Sequence, residues 1–136
     1  MTASITVFVV DHDETLRQAM SRLMRANGFQ AECFESTDAL PKTSDWPGGV
    51  VVLIVDLATA LRSDKLFYKQ SSIRDLHPPV ICLTSCDTDR TRREAQAMGA
   101  FSYFRKPVDD QALSDAIIFA AYQSDRGVSV ETTCAT

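Results

Sequence analysis

The 136 residues carry 14 Lys and Arg against 18 Asp and Glu, a formal net charge of -4, with 45% hydrophobic side chains. A chain of this size and apolar content buries one core without disulfides or a structural metal, so a single domain is expected. The basic residues are scattered rather than massed, which speaks against direct nucleic-acid binding.

The longest apolar runs, Ile5–Val10 and Val50–Val55, fall far short of the roughly 20 residues that span a bilayer. The first residues lack the regions of a signal peptide. No membrane segment and a cytoplasmic location are the expectation. Cys33, Cys82, Cys86 and Cys134 form no CxxC pair and read as buried reduced thiols rather than a zinc site or disulfide framework.

In chain order, Ile5–Val10 is a β-branched run of strand length that ends in Asp11-His12-Asp13-Glu14. Leu16, Ala19, Met20, Leu23 and Met24 then recur at helical spacing, and Asn27-Gly28 closes that helix. Phe29–Phe34 reads as a second strand, and Ser36–Leu40 as a brief helix capped by Ser36. Val50–Val55 is an unbroken aliphatic run, the mark of a central strand covered on both faces, and it delivers Asp56 to its carboxyl end. A helix over 61–76 follows on weak periodicity, then a fourth strand from Pro79 to Leu83 ending at Thr84. A helix over Asp87–Met98 stops at Gly99, and a fifth strand, Phe101–Phe104, runs into Lys106-Pro107. The last helix, Asp110–Gln123, has Leu113, Ala116, Ile117, Ala120 and Ala121 on one face. Residues 1–123 are therefore taken as the domain, and 124–136 as a polar tail or linker stub.

Alternating strands and helices at this length predict an α/β fold with a parallel sheet, right-handed crossovers and helices on both faces. In such sheets functional groups gather beyond the carboxyl ends of the strands. That rule collects Asp11, His12, Asp13, Asp56, Thr84 and Lys106 on one rim. Phosphoryl transfer to a carboxylate needs a nucleophile, a cation near acidic ligands, and donors for the phosphoryl oxygens. Asp56 suits the first role, Asp11 and Asp13 the second, Lys106 and Thr84 the third.

The motifs Val9-Val10-Asp11-His12-Asp13-Glu14, Leu53-Ile54-Val55-Asp56-Leu57, Ile81-Cys82-Leu83-Thr84-Ser85 and Gly99-Ala100-Phe101-Ser102-Tyr103-Phe104-Arg105-Lys106-Pro107 together resemble the receiver domain of two-component response regulators, in particular its FixJ-like branch. The resemblance covers roughly residues 4–122. It implies a flavodoxin-like (βα)5 sheet of order 2-1-3-4-5. It also implies phosphorylation of Asp56 by a histidine kinase or small phosphodonor, with Mg2+ held by Asp11, Asp56 and the backbone carbonyl of Ala58. Thr84 and Tyr103 match the family's switch pair, which remodels the face made by helix 4, strand 5 and helix 5. No enzymatic activity beyond phosphoryl transfer to and from Asp56 is expected.

The pattern is broken in two places. The family usually has two adjacent acids after the first strand, and the second is His12 here. Magnesium prefers oxygen ligands whereas imidazole suits softer ions, so Mg2+ binding should weaken, Mn2+ becomes an alternative, and His12 or Asp13 remains open as the further ligand. The family also often has Met-Pro and a downstream glycine after the phosphoacceptor, where this chain reads Leu57-Ala58-Thr59-Ala60-Leu61.

Two functions are consistent with these residues: a phosphorylatable receiver with a weakened metal site, and a pseudo-receiver that serves as a phosphorylation-independent interaction module. Ile118, Phe119 and Tyr122 fall opposite the core stripe of the last helix and mark an interface, for a homodimer or a kinase-like partner.

Overall fold

Successive side chains on a strand point to opposite faces, and the three central strands here bury both sets. In a computed structural model that describes residues 4–62 and 78–125, β1 (Ile5–Val10), β2 (Gln30–Phe34), β3 (Val50–Asp56), β4 (Val80–Thr84) and β5 (Ser102–Arg105) form one parallel sheet. Its order is β2-β1-β3-β4-β5. The expected flavodoxin-like order is thus the observed one. Val52 and Ile54 of β3 enter one core with Val7, Val9, Ile81 and Leu83. Val51, Leu53 and Val55 enter the other with Phe8, Val10 and Cys82. A strand buried on both faces has no polar side, which is why Val50–Val55 is uniformly aliphatic.

The first core is closed by α1 (Glu14–Ala26), through Met20 and Met24, and by α4 (Asp110–Asp125), through Leu113, Ile117, Ala120 and Ala121. The second is closed by α2 (Leu57–Leu61) and α3 (Asp89–Ala97), with Leu57, Ala60 and Ala95 inside and Trp46 set edge-on to Phe8. Among the described residues no helix is long and apolar enough to cross a membrane.

Several expected boundaries move. The brief helix after β2 is a 3-10 turn over Thr37–Ala39, and Ser36 makes no side-chain cap bond to it. The third strand extends to Asp56, and the chain turns at once into α2, which at five residues is too short to show a periodic pattern. The expected helix over 61–76 lies, beyond residue 62, outside the described residues. The next helix starts at Asp89 instead of Asp87 because the Thr88 hydroxyl takes the cap, accepting the Thr91 N–H at 3.1 Å. The last helix continues two residues past Gln123, to Asp125. The cysteines are not uniformly buried: Cys82 is buried, Cys33 partly so, and Cys86 is exposed.

Gly49, just before β3, has φ +89°, and a Cβ there would lie 2.7 Å from the Ser4 carbonyl oxygen. Gly28, which closes α1, has φ +86° but open space around it. Left-handed backbone costs an L-residue about 1–2 kcal/mol, and only at Gly49 is a steric clash with backbone added. Gly49→Ala is therefore expected to destabilise by about 2–3 kcal/mol and Gly28→Ala by about 1 kcal/mol, read as shifts in urea midpoint at unchanged slope.

Candidate functional site

β1 and β3 are adjacent, so their carboxyl ends place Asp11 and Asp56 side by side, with 2% and 3% of their surfaces exposed. Two buried carboxylates repel and would each favour protonation unless a cation intervenes. The residue after β5 supplies one. Lys106 Nζ lies 2.8 Å from Asp11 Oδ2 and 2.9 Å from Asp56 Oδ1, and the Lys106 N–H donates to the Thr84 carbonyl at 2.8 Å, which ties the lysine to the end of β4.

Burial alone would raise the Asp56 carboxyl, but the Lys106 ammonium and the donors of Thr59 outweigh it and hold Asp56 below its ordinary value. For Lys106 burial opposes the charged form, and the carboxylates of Asp11 and Asp56 reverse that effect and raise it. The opposite shifts describe one mutually stabilised ion cluster. Behind it, Cys82 is pushed up to about 12 by burial and by the nearby Asp56 charge, which keeps its thiol protonated and inert.

The remaining predicted residues divide. His12 Nδ1 approaches Asp11 Oδ1 at 3.7 Å and Asp56 Oδ2 at 3.6 Å. Among the described residues, Asp11, His12 and Asp56 form the group whose ligand atoms come within 4.8 Å of one another and could hold a metal ion. Asp13 is turned the other way and caps α1, accepting the N–H groups of Thr15 and Leu16 at 3.0 and 3.3 Å. Ala58 lies exposed in the first turn of α2. Two carboxylates and an imidazole make a mixed oxygen and nitrogen donor set, which suits Mn2+ better than Mg2+.

Thr84 does not face Asp56 through its hydroxyl; the group donates to the Cys86 carbonyl at 2.9 Å and accepts the Cys86 N–H at 3.2 Å. Tyr103 is buried in the second core, 6% exposed, and its hydroxyl donates to Asp87 Oδ1 at 2.9 Å and meets Thr91 Oγ1 at 2.7 Å. Thr91 Oγ1 also lies 3.1 Å from the Cys86 carbonyl oxygen, and its one proton serves either that carbonyl or the Tyr103 oxygen. Arg92 completes the cluster with two bonds of 2.9 Å to Asp87. Thr84 and Tyr103 are thus joined through Cys86 and Thr91.

Sequence reasoning missed Thr59, buried at 3% exposure. Its N–H and hydroxyl donate to Asp56 Oδ2 at 3.0 and 2.8 Å, and its hydroxyl oxygen also meets the N–H and Nδ1 of His12 at 3.1 and 2.8 Å. The signal available was its place three residues after Asp56, the position at which an acid capping a helix receives its bond. Asp87, Thr91 and Arg92 were missed as well, being surface residues of a loop and helix start.

The fold and site together define a doubly wound α/β domain with an acid and lysine centre at the carboxyl ends of its strands. The chain belongs to the response-regulator receiver domains of two-component signalling: the family model described as "Response regulator receiver domain" matches residues 7–118. It is similar to Nodulation protein W of Bradyrhizobium diazoefficiens, 28% identical over 120 residues that cover 88% of this chain and 52% of that protein. It is also similar to the transcriptional regulatory protein TdiR of Thauera aromatica, 30% identical over 113 residues, 82% of this chain and 49% of that one. The chain thus spans about half the length of the curated relatives it matches. The solved structure of FixJ-N superposes with TM-score 0.75 at 26% identity, covering 90% of this chain and 96% of that one, in keeping with the FixJ-like resemblance.

The Arg92 guanidinium and the Tyr103 hydroxyl hold the Asp87 carboxyl down to about 2 from 3.8. A depressed acid stabilises the folded chain above its unfolded pKa and loses that contribution as pH falls through its folded pKa. The stability difference between the natural chain and Asp87→Asn is therefore expected to be constant above about pH 5 and to shrink between 3.8 and about 2, measured by urea unfolding across that range.

Proposed function

We propose that Asp56 accepts a phosphoryl group from a histidine kinase or a small phosphodonor, and that its occupancy changes the face formed by α3, β5 and α4. The observation that carries this is the Lys106 ammonium bridging Asp11 and Asp56 at 2.8 and 2.9 Å at the strand ends. Asp56 is kept ionised and hence nucleophilic. Attack of one carboxylate oxygen on phosphorus forms the acyl phosphate bond as the donor's bond to phosphorus breaks, with its electron pair leaving on the donor. Lys106 then neutralises the new phosphoryl oxygens, and Thr84 exchanges its Cys86 partner for one of them.

Receiver domains generally bind Mg2+ at an acidic site. In this chain Asp11, Asp56 and the Ala58 carbonyl, joined by His12, would hold a divalent cation, which supplies charge neutralisation for the transferring group. Mn2+ fits this set better than Mg2+. Asp13, committed to its cap, contributes least. The Thr84 and Tyr103 pair is the proposed switch, and a cytoplasmic setting beside a histidine kinase is the proposed context.

Incubation with acetyl phosphate and Mn2+ or Mg2+ is expected to add the mass of one phosphoryl group, to add nothing in Asp56→Asn, and to proceed faster with Mg2+ in His12→Asp, which restores an oxygen ligand. Absence of any adduct at saturating donor and cation would instead favour the phosphorylation-independent interaction module.

Ile118, Phe119 and Tyr122 are 51%, 50% and 52% exposed on α4, and Phe119 leans on Phe101 with ring centres 5.6 Å apart. Apolar side chains of this size gain nothing from water, and we assign them to a homodimer contact between two copies of this face. Ile118→Glu with Tyr122→Glu is expected to shift the chain toward monomer in analytical ultracentrifugation while leaving the fold intact by far-UV circular dichroism; an unchanged sedimentation profile would remove the assignment.

A further inference from the structure

The Thr59 hydroxyl is the meeting point of Asp56 and His12, and it has one proton to give and two lone pairs to fill. Its proton goes to Asp56 Oδ2, 2.8 Å away, because an ionised carboxylate can only accept. The His12 N–H takes one lone pair at 3.1 Å. The contact of 2.8 Å between Thr59 Oγ1 and His12 Nδ1 is then a hydrogen bond only if Nδ1 carries a proton. In its neutral form the ring is thereby fixed as the Nδ1–H tautomer, with the free lone pair on Nε2.

This arrangement opposes a cation at the same place. Nδ1 is the nitrogen beside both carboxylates, at 3.6 and 3.7 Å, yet its proton goes to Thr59 Oγ1 and it has no lone pair left for a cation. Oδ2 of Asp56, the oxygen nearest the imidazole, already accepts two bonds from Thr59. Binding an ion between Asp11, His12 and Asp56 requires the ring to change tautomer or turn, and Oδ2 to share its lone pairs.

We propose that Thr59 is a positioning residue that sets the cation affinity of this site, holding His12 as the Nδ1–H tautomer and competing for Asp56 Oδ2. The proposal rests on the assignment of Asp11, His12 and Asp56 as the cation site. Thr59→Val keeps the shape and the backbone N–H but removes the hydroxyl. Thr59→Ser keeps the hydroxyl. Thr59→Ala serves in place of the valine should the extra methyl not fit.

The test uses the full chain labelled with 15N-histidine, with the His12 signals assigned against His12→Gln. Spectra are recorded at about pH 8, above the ordinary imidazole pKa of about 6.5, and the same proteins are titrated calorimetrically with MnCl2. The natural chain and Thr59→Ser are expected to show His12 protonated on Nδ1. Thr59→Val is expected to lose that preference and to bind Mn2+ more tightly, by a factor on the order of the 10-fold typical for residues that orient metal ligands. An Nε2–H tautomer in the natural chain, or equal or weaker Mn2+ binding in Thr59→Val, would overturn the role of Thr59 while leaving the cation site standing. If no variant binds Mn2+, the cation site itself fails, and with it the claim that Thr59 sets its affinity. The ring spectra then still report whether Thr59 holds the tautomer.

Discussion

The chemistry at the strand ends depends on a half-buried lysine shared by two buried carboxylates. A parallel sheet brings the ends of neighbouring strands together whatever residues stand there, and here the ends of β1 and β3 carry Asp11 and Asp56. Desolvating two negative charges is costly, and removing one partner of a buried ion cluster typically costs about 3–5 kcal/mol because a bare charge is left behind. Lys106 closes the cluster from the far side of the sheet, across a sequence separation of 95 residues. The fold and the chemistry are therefore one constraint: the sheet must register correctly for the charges to be matched, and the matched charges keep Asp56 ionised.

Much of this was legible because the signals were strong and local. The aliphatic run Val50–Val55 can only be a strand hidden on both faces, and the acids, Thr84 and Lys106 each follow a strand, so topology alone gathers them. What escaped was decided by geometry that periodicity does not carry. Whether Asp13 faces a cation or caps α1 depends on the turn after β1, and two backbone N–H groups claimed it. That α2 starts directly at Leu57 follows from Asp56 and Thr59 capping the turn between them, a pairing of two residues that look unrelated in the sequence. The same limit hid the Asp87 cluster, whose members belong to a loop, a helix start and an edge strand.

The departure at His12 and its contact with Thr59 are best understood together. An imidazole brings a donor into a place where oxygen ligands are expected, and the threonine hydroxyl gives that donor somewhere to go. Neither residue is strained or unsatisfied as a result, and the polar atoms around Asp56 have partners. A local breach of the family's pattern has been absorbed by a compensating neighbour, which is what a consistent low-energy site requires.

The path from Thr84 through the Cys86 carbonyl and Thr91 to Tyr103 has an energetic consequence of its own. In the proposed phosphorylation Thr84 would trade the carbonyl for a phosphoryl oxygen, one donated bond for another, from a neutral bond worth about 0.5–1.5 kcal/mol to a charged one worth about 1.5–3 kcal/mol. A difference of about 1–2 kcal/mol changes a two-state ratio by roughly 5- to 30-fold. On that proposal the β4 to α3 turn works as a dimmer, its two settings separated by a small free-energy difference, rather than as a latch held in one of them.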